Sequence, residues 1–102
     1  MTTSNGISGW TIEVERRARR DLRKITARAR KAILDFIVYE LPGFNHPRQR
    51  GQALKGVMTG LWRYRVGDYR IVARIEDHQR IVAIVTIGHR SSVYPALLRR
   101  LS

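Results

Sequence analysis

The sequence predicts an α+β fold of two layers, in which a helical pair packs on one face of a mainly antiparallel four-stranded sheet. Residues 61–66 and 69–75 alternate apolar and polar side chains around a Gly-Asp pair, which is typical of a β-hairpin. Between residues 14 and 37 the apolar residues instead recur every three or four positions, as on helices. Residues 81–87 are almost wholly apolar and β-branched, which indicates an interior strand. The predicted element order is β-α-α-β-β-β-α.

The first elements follow from changes in periodicity. Residues 1–9 are small and polar and predict a disordered lead before a single domain over residues 10–102. Residues 10–14 alternate as a short strand, and from Glu15 the period becomes helical. Thr26 is expected to cap a second helix. The cationic side chains between the apolar positions are interpreted as solvated helix faces: Arg16, Arg17, Arg19, Arg20, Arg23, Arg28, Arg30 and Lys31.

The later elements are bounded by turn residues. Pro42, Gly43 and Pro47 are expected to end the second helix and to open a loop to about Leu54. Residues 88–94 turn the chain out of the sheet after the interior strand. A short helix is expected from about Pro95.

The hairpin has a predicted register. Gly67 at the first central position of a two-residue loop fits a type II′ turn, because that position needs a positive φ. The register then pairs Val66 with Tyr69, Arg65 with Arg70, and Tyr64 with Ile71. Alternation assigns a core face to Trp62, Tyr64, Val66, Tyr69, Ile71, Ala73 and Ile75. The opposite face carries Arg63, Arg65, Arg70 and Arg74.

Like charges directly opposite each other, as in the Arg65–Arg70 pair, destabilise an isolated sheet. The arrangement becomes reasonable when an anion lies over it, and phosphate is the common anion for clustered arginines. The alternative is an ordinary solvated strand face with its cationic side chains splayed apart.

The composition favours a polyanionic partner. The chain has 20 Lys and Arg against 8 Asp and Glu, a formal net charge of +12 and a pI of about 11.5. This charge is typical of nucleic-acid binders and of proteins held by an acidic partner. No cysteine, signal-peptide core or apolar run of membrane-spanning length occurs in the sequence. A cytoplasmic protein without a membrane partner is therefore expected.

The residue inventory disfavours several classes of chemistry. His and carboxylate residues show no metal-ligand spacing, and no nucleophile elbow, GxGxxG or Walker pattern is present. What remains is a set of Arg, His and Tyr side chains, which can bind a phosphodiester, neutralise its developing charge and stack a base. RNA supplies its own nucleophile, the 2′-hydroxyl, so neither a metal nor another cofactor is expected.

Three motifs in order resemble those of the RelE branch of the RelE/ParE toxin superfamily, which are toxins of bacterial type II toxin–antitoxin pairs. The motifs are Leu54-Lys55-Gly56, residues 60–71, and Ile87-Gly88-His89-Arg90 with Val93-Tyr94. The similarity runs from Trp10 through nearly the whole chain. For RelE-like members it implies metal-independent cleavage of ribosome-bound mRNA by attack of the 2′-hydroxyl, and so inhibition of translation.

The resemblance also implies roles for individual residues. Arg63 and Arg65 would stabilise the scissile phosphate, and Arg70 and Arg90 match two further arginines of the family. Tyr94 matches a tyrosine that stacks on the substrate base and takes up the 2′-hydroxyl proton. His89 lies where lysine is common, and a histidine ordinarily changes charge near neutral pH, so it is a second candidate for proton transfer. The predicted site residues are thus Arg63, Arg65, Arg70, His89, Arg90 and Tyr94 for catalysis, with Lys55 and Arg74 for substrate binding.

Other interpretations remain open at this point. His89 also fits a solvated strand end, and Tyr94 fits a residue that packs a helix. Members of the ParE type share the fold but inhibit DNA gyrase without catalysis, and a basic module that only binds RNA or the ribosome would have a similar composition. For the toxin, the resemblance implies an acidic, RelB-like antitoxin as partner in a heteromeric complex, besides the ribosome and mRNA.

Overall fold

A computed structural model describes residues 2–3 and 9–101. Six strands form one sheet in the order β1-β2-β6-β5-β4-β3. The strands are β1 (Thr2–Thr3), β2 (Thr11–Val14), β3 (Gln52–Ala53), β4 (Leu61–Val66), β5 (Tyr69–Glu76) and β6 (Ile81–His89). The helices are α1 (Arg16–Arg23), α2 (Ala27–Asp35) and α3 (Val93–Leu101). None of these helices has both the length and the apolar character that crossing a bilayer requires.

The predicted fold class is confirmed, and the strand count is corrected. The four expected strands are present, and the pairing is mainly antiparallel as predicted: β6 pairs with β5 and β5 with β4 in antiparallel fashion, while β2 runs parallel to β6. The two additional strands, β1 and β3, have two residues each and lie at the sheet edges. Most of the predicted disordered lead, residues 1–9, lies outside the described residues, so that assignment stays a prediction.

The hairpin of β4 and β5 has the predicted register. Val66 pairs with Tyr69, Arg65 with Arg70, and Tyr64 with Ile71. Gly67 has a φ of 59°, whereas the φ of Asp68 is not positive, and a type II′ turn requires this combination. The residues predicted to face the core all belong to the main core or pack against it.

The helical pair covers one face of the sheet, and two polar contacts fix its position. The Asp21 carboxylate on α1 accepts hydrogen bonds from the Thr86 hydroxyl (2.9 Å) and the Ile87 main-chain N–H (3.0 Å) on β6. At the α1–α2 junction, Thr26 caps α2 as predicted. The expectation of a solvated Arg30 is wrong: its half-buried guanidinium donates to the carbonyls of Leu22 and Ile25 at 2.9 and 2.8 Å.

After α2 the chain continues as a π-helical turn, Phe36–Glu40, and a 3-10 turn, Leu41–Gly43. The helical stretch therefore ends at Gly43, one of the residues at which the sequence predicted its end. The last helix begins at Val93, earlier than the predicted start at Pro95. Pro95 then lies in the first turn of α3, where a proline is tolerated because the main-chain nitrogens of that turn donate no hydrogen bond within the helix.

The opposite face of the sheet is covered in part by α3, over a second, smaller core of Val72, Val85, Val93 and Leu97. The β5–β6 pairing contains a bulge between Val72 and Ala73. Strict alternation would place Ile84 and Ile87 on opposite faces, because three positions separate them. The one extra residue lets both reach the main core, while Val85, next to Ile84, faces α3. The uncovered part of this face carries the candidate site.

Candidate active site

An open groove with a volume of about 690 Å³ lies beside the first turn of α3, on the sheet face that carries the arginines. The hairpin supplies its floor, β3 and the following loop form one wall, and the end of β6 with the start of α3 forms the other. The groove is lined by Gln52, Ala53, Leu54, Lys55, Met58, Arg63, Arg65, Arg70, His89, Arg90, Ser91 and Tyr94.

Seven of the eight predicted site residues line this groove; Arg74 does not. Arg74 shares the predicted face but pairs with Leu61, at the end of the hairpin far from the turn. Four residues along a strand separate it from Arg70, a distance of roughly 13 Å. Its guanidinium lies 3.0 Å from the Glu15 carboxylate and 3.6 Å from that of Glu76. The structure therefore places Arg74 in an ion-pair cluster away from the groove.

Arg65 and Arg70 are cross-strand neighbours in different environments. Arg70 is only 9% exposed, and its NH1 group donates to the carbonyls of Gly67 and Tyr69, both at 3.0 Å. These contacts orient the Arg70 guanidinium before any ligand arrives. Arg65 is exposed and makes no hydrogen bond or ion pair with the described residues. It can therefore turn towards a phosphate without losing a protein contact.

Two further groove residues are held by partners that the sequence analysis did not single out. The Arg63 guanidinium donates to the amide oxygen of Gln52, which is also its register partner on β3. The Arg90 main-chain N–H donates to the Asp68 carbonyl at 2.8 Å, and its side chain lies 3.6 Å from the Asp68 carboxylate. Asp68 thus ties the hairpin turn to the end of β6. Asp68 carried a turn signal in the sequence, whereas nothing marked Gln52.

His89 and Tyr94 complete the groove at the α3 side. The Nδ1 atom of His89 lies 2.8 Å from the Ser91 hydroxyl and 3.1 Å from the Ser91 main-chain nitrogen, whose N–H points at it. The ring also contacts the Tyr69 ring in an edge-to-face arrangement, with centroids 5.5 Å apart. Tyr94 is half-buried against the second core. Tyr94 therefore packs against this core and lines the groove at the same time.

Another tyrosine close by has a purely structural role. Tyr64 is 1% exposed, and its hydroxyl donates to the Pro47 carbonyl at 2.6 Å. Burial raises the pKa of the Tyr64 phenol far above its usual value. The side chain stays neutral and fixes the loop before β3.

The groove is electrostatically one-sided. Its charged lining residues are all cationic (Lys55, Arg63, Arg65, Arg70 and Arg90), and no carboxylate is among the lining residues. Within residues 2–3 and 9–101, no three His, Asp or Glu side chains gather where they could hold a metal ion. The arrangement is suited to binding a phosphodiester chain through several guanidinium groups, with an imidazole and a phenol beside it.

The groove continues around the edge of the sheet. A second cavity of about 550 Å³ shares Gln52, Arg63 and Arg65 with it and reaches Arg50 and Phe36 beyond β4. β3 pairs with β4 at Trp62 and Arg63, and the following β4 residues, Tyr64, Arg65 and Val66, border this cavity. The charged lining of this second cavity comprises Arg50, Arg63 and Arg65 with one carboxylate, Glu40, which lies 3.6 Å from Arg50.

The chain matches known proteins over most of its length. A family model described as "ParE toxin of type II toxin-antitoxin system, parDE" matches residues 12–94. Toxin RelG of Mycobacterium tuberculosis is 32% identical over 85 residues, which are 83% of this chain and 95% of that protein. Toxin RelE of the same organism is also 32% identical over 85 residues, 83% of this chain and 86% of that protein. In the crystal structure of the toxin–antitoxin complex RelBE2 from M. tuberculosis, one chain aligns with a TM-score of 0.71 and 31% identity, over 81% of this chain and 93% of that chain.

Proposed function

Because this chain belongs to the RelE/ParE family of toxins from type II toxin–antitoxin systems, we propose that it is a metal-independent endoribonuclease that cleaves ribosome-bound mRNA and inhibits translation. The observation that carries the proposal is the groove itself. It collects four guanidinium groups, one ammonium group, an imidazole and a phenol, without a lining carboxylate. A surface that only bound a protein would have no need of such a phosphate cradle.

The reaction in this groove uses the nucleophile of the RNA. The 2′-oxygen attacks the adjacent phosphorus and loses its proton, the bond from phosphorus to the 5′-oxygen breaks, and that oxygen is protonated as it leaves. Negative charge grows on the non-bridging oxygens in the transition state, and prepositioned donors there stabilise it most effectively. Arg70 is already oriented by two carbonyls, and Arg65 can close over the phosphate from the opposite strand. Tyr94, which lines the same groove, would stack on a base of the RNA.

The test is cleavage by the purified protein of mRNA on programmed ribosomes, with mapping of the new 5′ ends. We expect cuts phased to the reading frame, and treating the toxin with a chelator that is removed before the assay should not reduce them. A variant with Arg20→Ala on the exposed face of α1 should cleave normally, since this arginine lies outside the groove. Absence of cuts on both ribosome-bound and free RNA would refute the nuclease assignment.

A second candidate function follows from the family model, which is named for ParE toxins. In that case the protein would inhibit DNA gyrase without catalysis, and the same preparation would block supercoiling while leaving mRNA intact. Binding to ribosomes with neither effect would instead indicate a basic RNA- or ribosome-binding module. The cationic groove favours the nuclease over the gyrase inhibitor, since an inhibitor that binds a protein needs no phosphate cradle.

We further propose that an acidic antitoxin segment, disordered when free, folds onto the groove and blocks it. The net charge of +12 supplies long-range attraction, and burial of apolar surface supplies the lasting affinity. One relative of known structure, RelBE2, is a toxin–antitoxin complex.

Salt should therefore affect the two rate constants differently. We expect association with the cognate antitoxin to slow steeply as salt is added, because screening weakens steering between separated charges. Dissociation should change little, because it depends on contacts already formed. Stopped-flow measurement of both rates across a salt series tests this. Association that is insensitive to salt, or a complex that still cleaves RNA, would contradict the inhibition model.

A further inference from the structure

We propose that Ser91 is a positioning residue that fixes the tautomer of His89, so that His89 presents an Nε2–H donor to the RNA and does not accept the 2′-hydroxyl proton. The inference rests on the proposed nuclease function and deepens it. The groove alone allows His89 to be either a hydrogen-bond donor or a base, and its contacts with Ser91 distinguish the two.

The decisive contact is the main-chain N–H of Ser91, which points at His89 Nδ1 over 3.1 Å. A main-chain N–H can only donate, so Nδ1 must offer its lone pair. In a neutral imidazole the proton is then on Nε2. The Ser91 hydroxyl, 2.8 Å from the same atom, can donate to it by rotation. This second contact therefore favours the same tautomer as the main-chain contact.

The His89 ring is also held by a contact with Tyr69. His89 is the register partner of Tyr69 across β5 and β6, and their rings meet edge to face at 83°. Within the described residues, Nε2 has no hydrogen-bond partner. His89 lies where the groove meets a cleft of about 400 Å³ that runs along the start of α2, past Arg28. Nε2 is therefore the ring nitrogen left to meet a ligand.

This tautomer determines what His89 can contribute. A neutral Nε2–H can donate to a non-bridging phosphate oxygen, and the hydrogen bond strengthens as charge grows there in the transition state. With Nδ1 occupied and Nε2 already protonated, the neutral ring has no site for the 2′-hydroxyl proton. That proton leaves to another acceptor, and no proton moves to or from His89 during the step.

Two amide variants separate a donor from a base. In His89→Gln, the side-chain amide nitrogen reaches the position of Nε2, whereas in His89→Asn it reaches only that of Nδ1. Neither amide can act as a base. If His89 acts as a donor, His89→Gln should retain cleavage within about 5-fold, the cost of one imperfect hydrogen bond. His89→Asn should lose about 100-fold, as when a prepositioned donor is removed. Equal losses of that size in both would overturn the proposal.

The positioning role of Ser91 is tested by combining variants. Ser91→Ala removes the hydroxyl contact and should reduce cleavage about 5-fold in the native background. In the His89→Gln background it should have almost no effect, because Ser91 acts through the imidazole. A full additional loss in that background would show that Ser91 acts independently of His89 and would contradict the assignment.

A spectroscopic measurement on the complete chain without RNA tests the tautomer directly. Long-range proton–nitrogen correlation spectra report which ring nitrogen bears the proton, and we expect Nε2 in the neutral form. A proton on Nδ1 would overturn the inference whether or not the protein cleaves RNA. An Nε2–H ring in a protein that cleaves no RNA would refute the nuclease function instead and leave the tautomer assignment standing.

Discussion

Replacing Arg65 with alanine is expected to reduce mRNA cleavage by about 100- to 1,000-fold while leaving the melting temperature unchanged or higher. The catalytic loss follows because removing one donor to the scissile phosphate typically costs this much transition-state stabilisation. Stability does not suffer, since the Arg65 side chain is exposed and makes no hydrogen bond or ion pair with the described residues. Its removal also relieves the like-charge pairing with Arg70.

Single-turnover cleavage on programmed ribosomes and calorimetric unfolding measure the two effects. Arg65→Lys is the matched control: it keeps the positive charge but loses the planar fork that holds a phosphate by two donors, so its activity should be intermediate. Arg65→Ala protein that is folded and fully active would remove the phosphate-cradle interpretation. An unfolded Arg65→Ala variant would show that the side chain contributes to stability instead.

The largest loss of stability is expected for Gly51→Ala, at about 2–5 kcal/mol in the free energy of unfolding. Gly51 has a φ of +93°, where an alanine costs about 1–2 kcal/mol. A Cβ there would also collide with the Arg63 carbonyl and the Trp62 indole, and such overpacking typically costs about 1–3 kcal/mol. Because Arg63 is a groove residue, displacement of β4 should also reduce cleavage in whatever protein remains folded.

The variant Gly60→Ala separates the cost of a positive φ from the cost of a steric collision. Gly60 has a similar φ, +97°, but a Cβ there would meet nothing within 4 Å. We expect it to cost only the conformational part, about 1–2 kcal/mol, and to leave the groove intact. Urea unfolding of both variants measures the difference. Equal destabilisation by the two substitutions would mean that β3 and β4 can separate at Gly51 without cost, contrary to the close approach in the structure.

The sequence by itself determined the elements whose signals are local. The hairpin register followed from the turn chemistry of Gly67, and the core face of β4 and β5 followed from alternation. The cap of α2 by Thr26 and the interior position of β6 followed in the same way. These predictions succeed because backbone geometry couples neighbouring residues directly, with a period of two on strands and 3.6 on helices. The groove arginines at 63, 65 and 70 were found by the same alternation.

Tertiary structure decided whatever depends on which distant segments meet. Periodicity assigned Arg74 to the correct face, but the distance along the strand and the nearby Glu15 remove it from the groove. β3, with two exposed residues, has no apolar pattern, so its pairing with β4, and with it the Gln52–Arg63 contact, left no local signal. The bulge that lets Ile84 and Ile87 share the main core also left no local signal, because it depends on how β6 pairs with β5. Periodicity specifies the direction in which a side chain points, whereas packing between remote segments decides what it meets there.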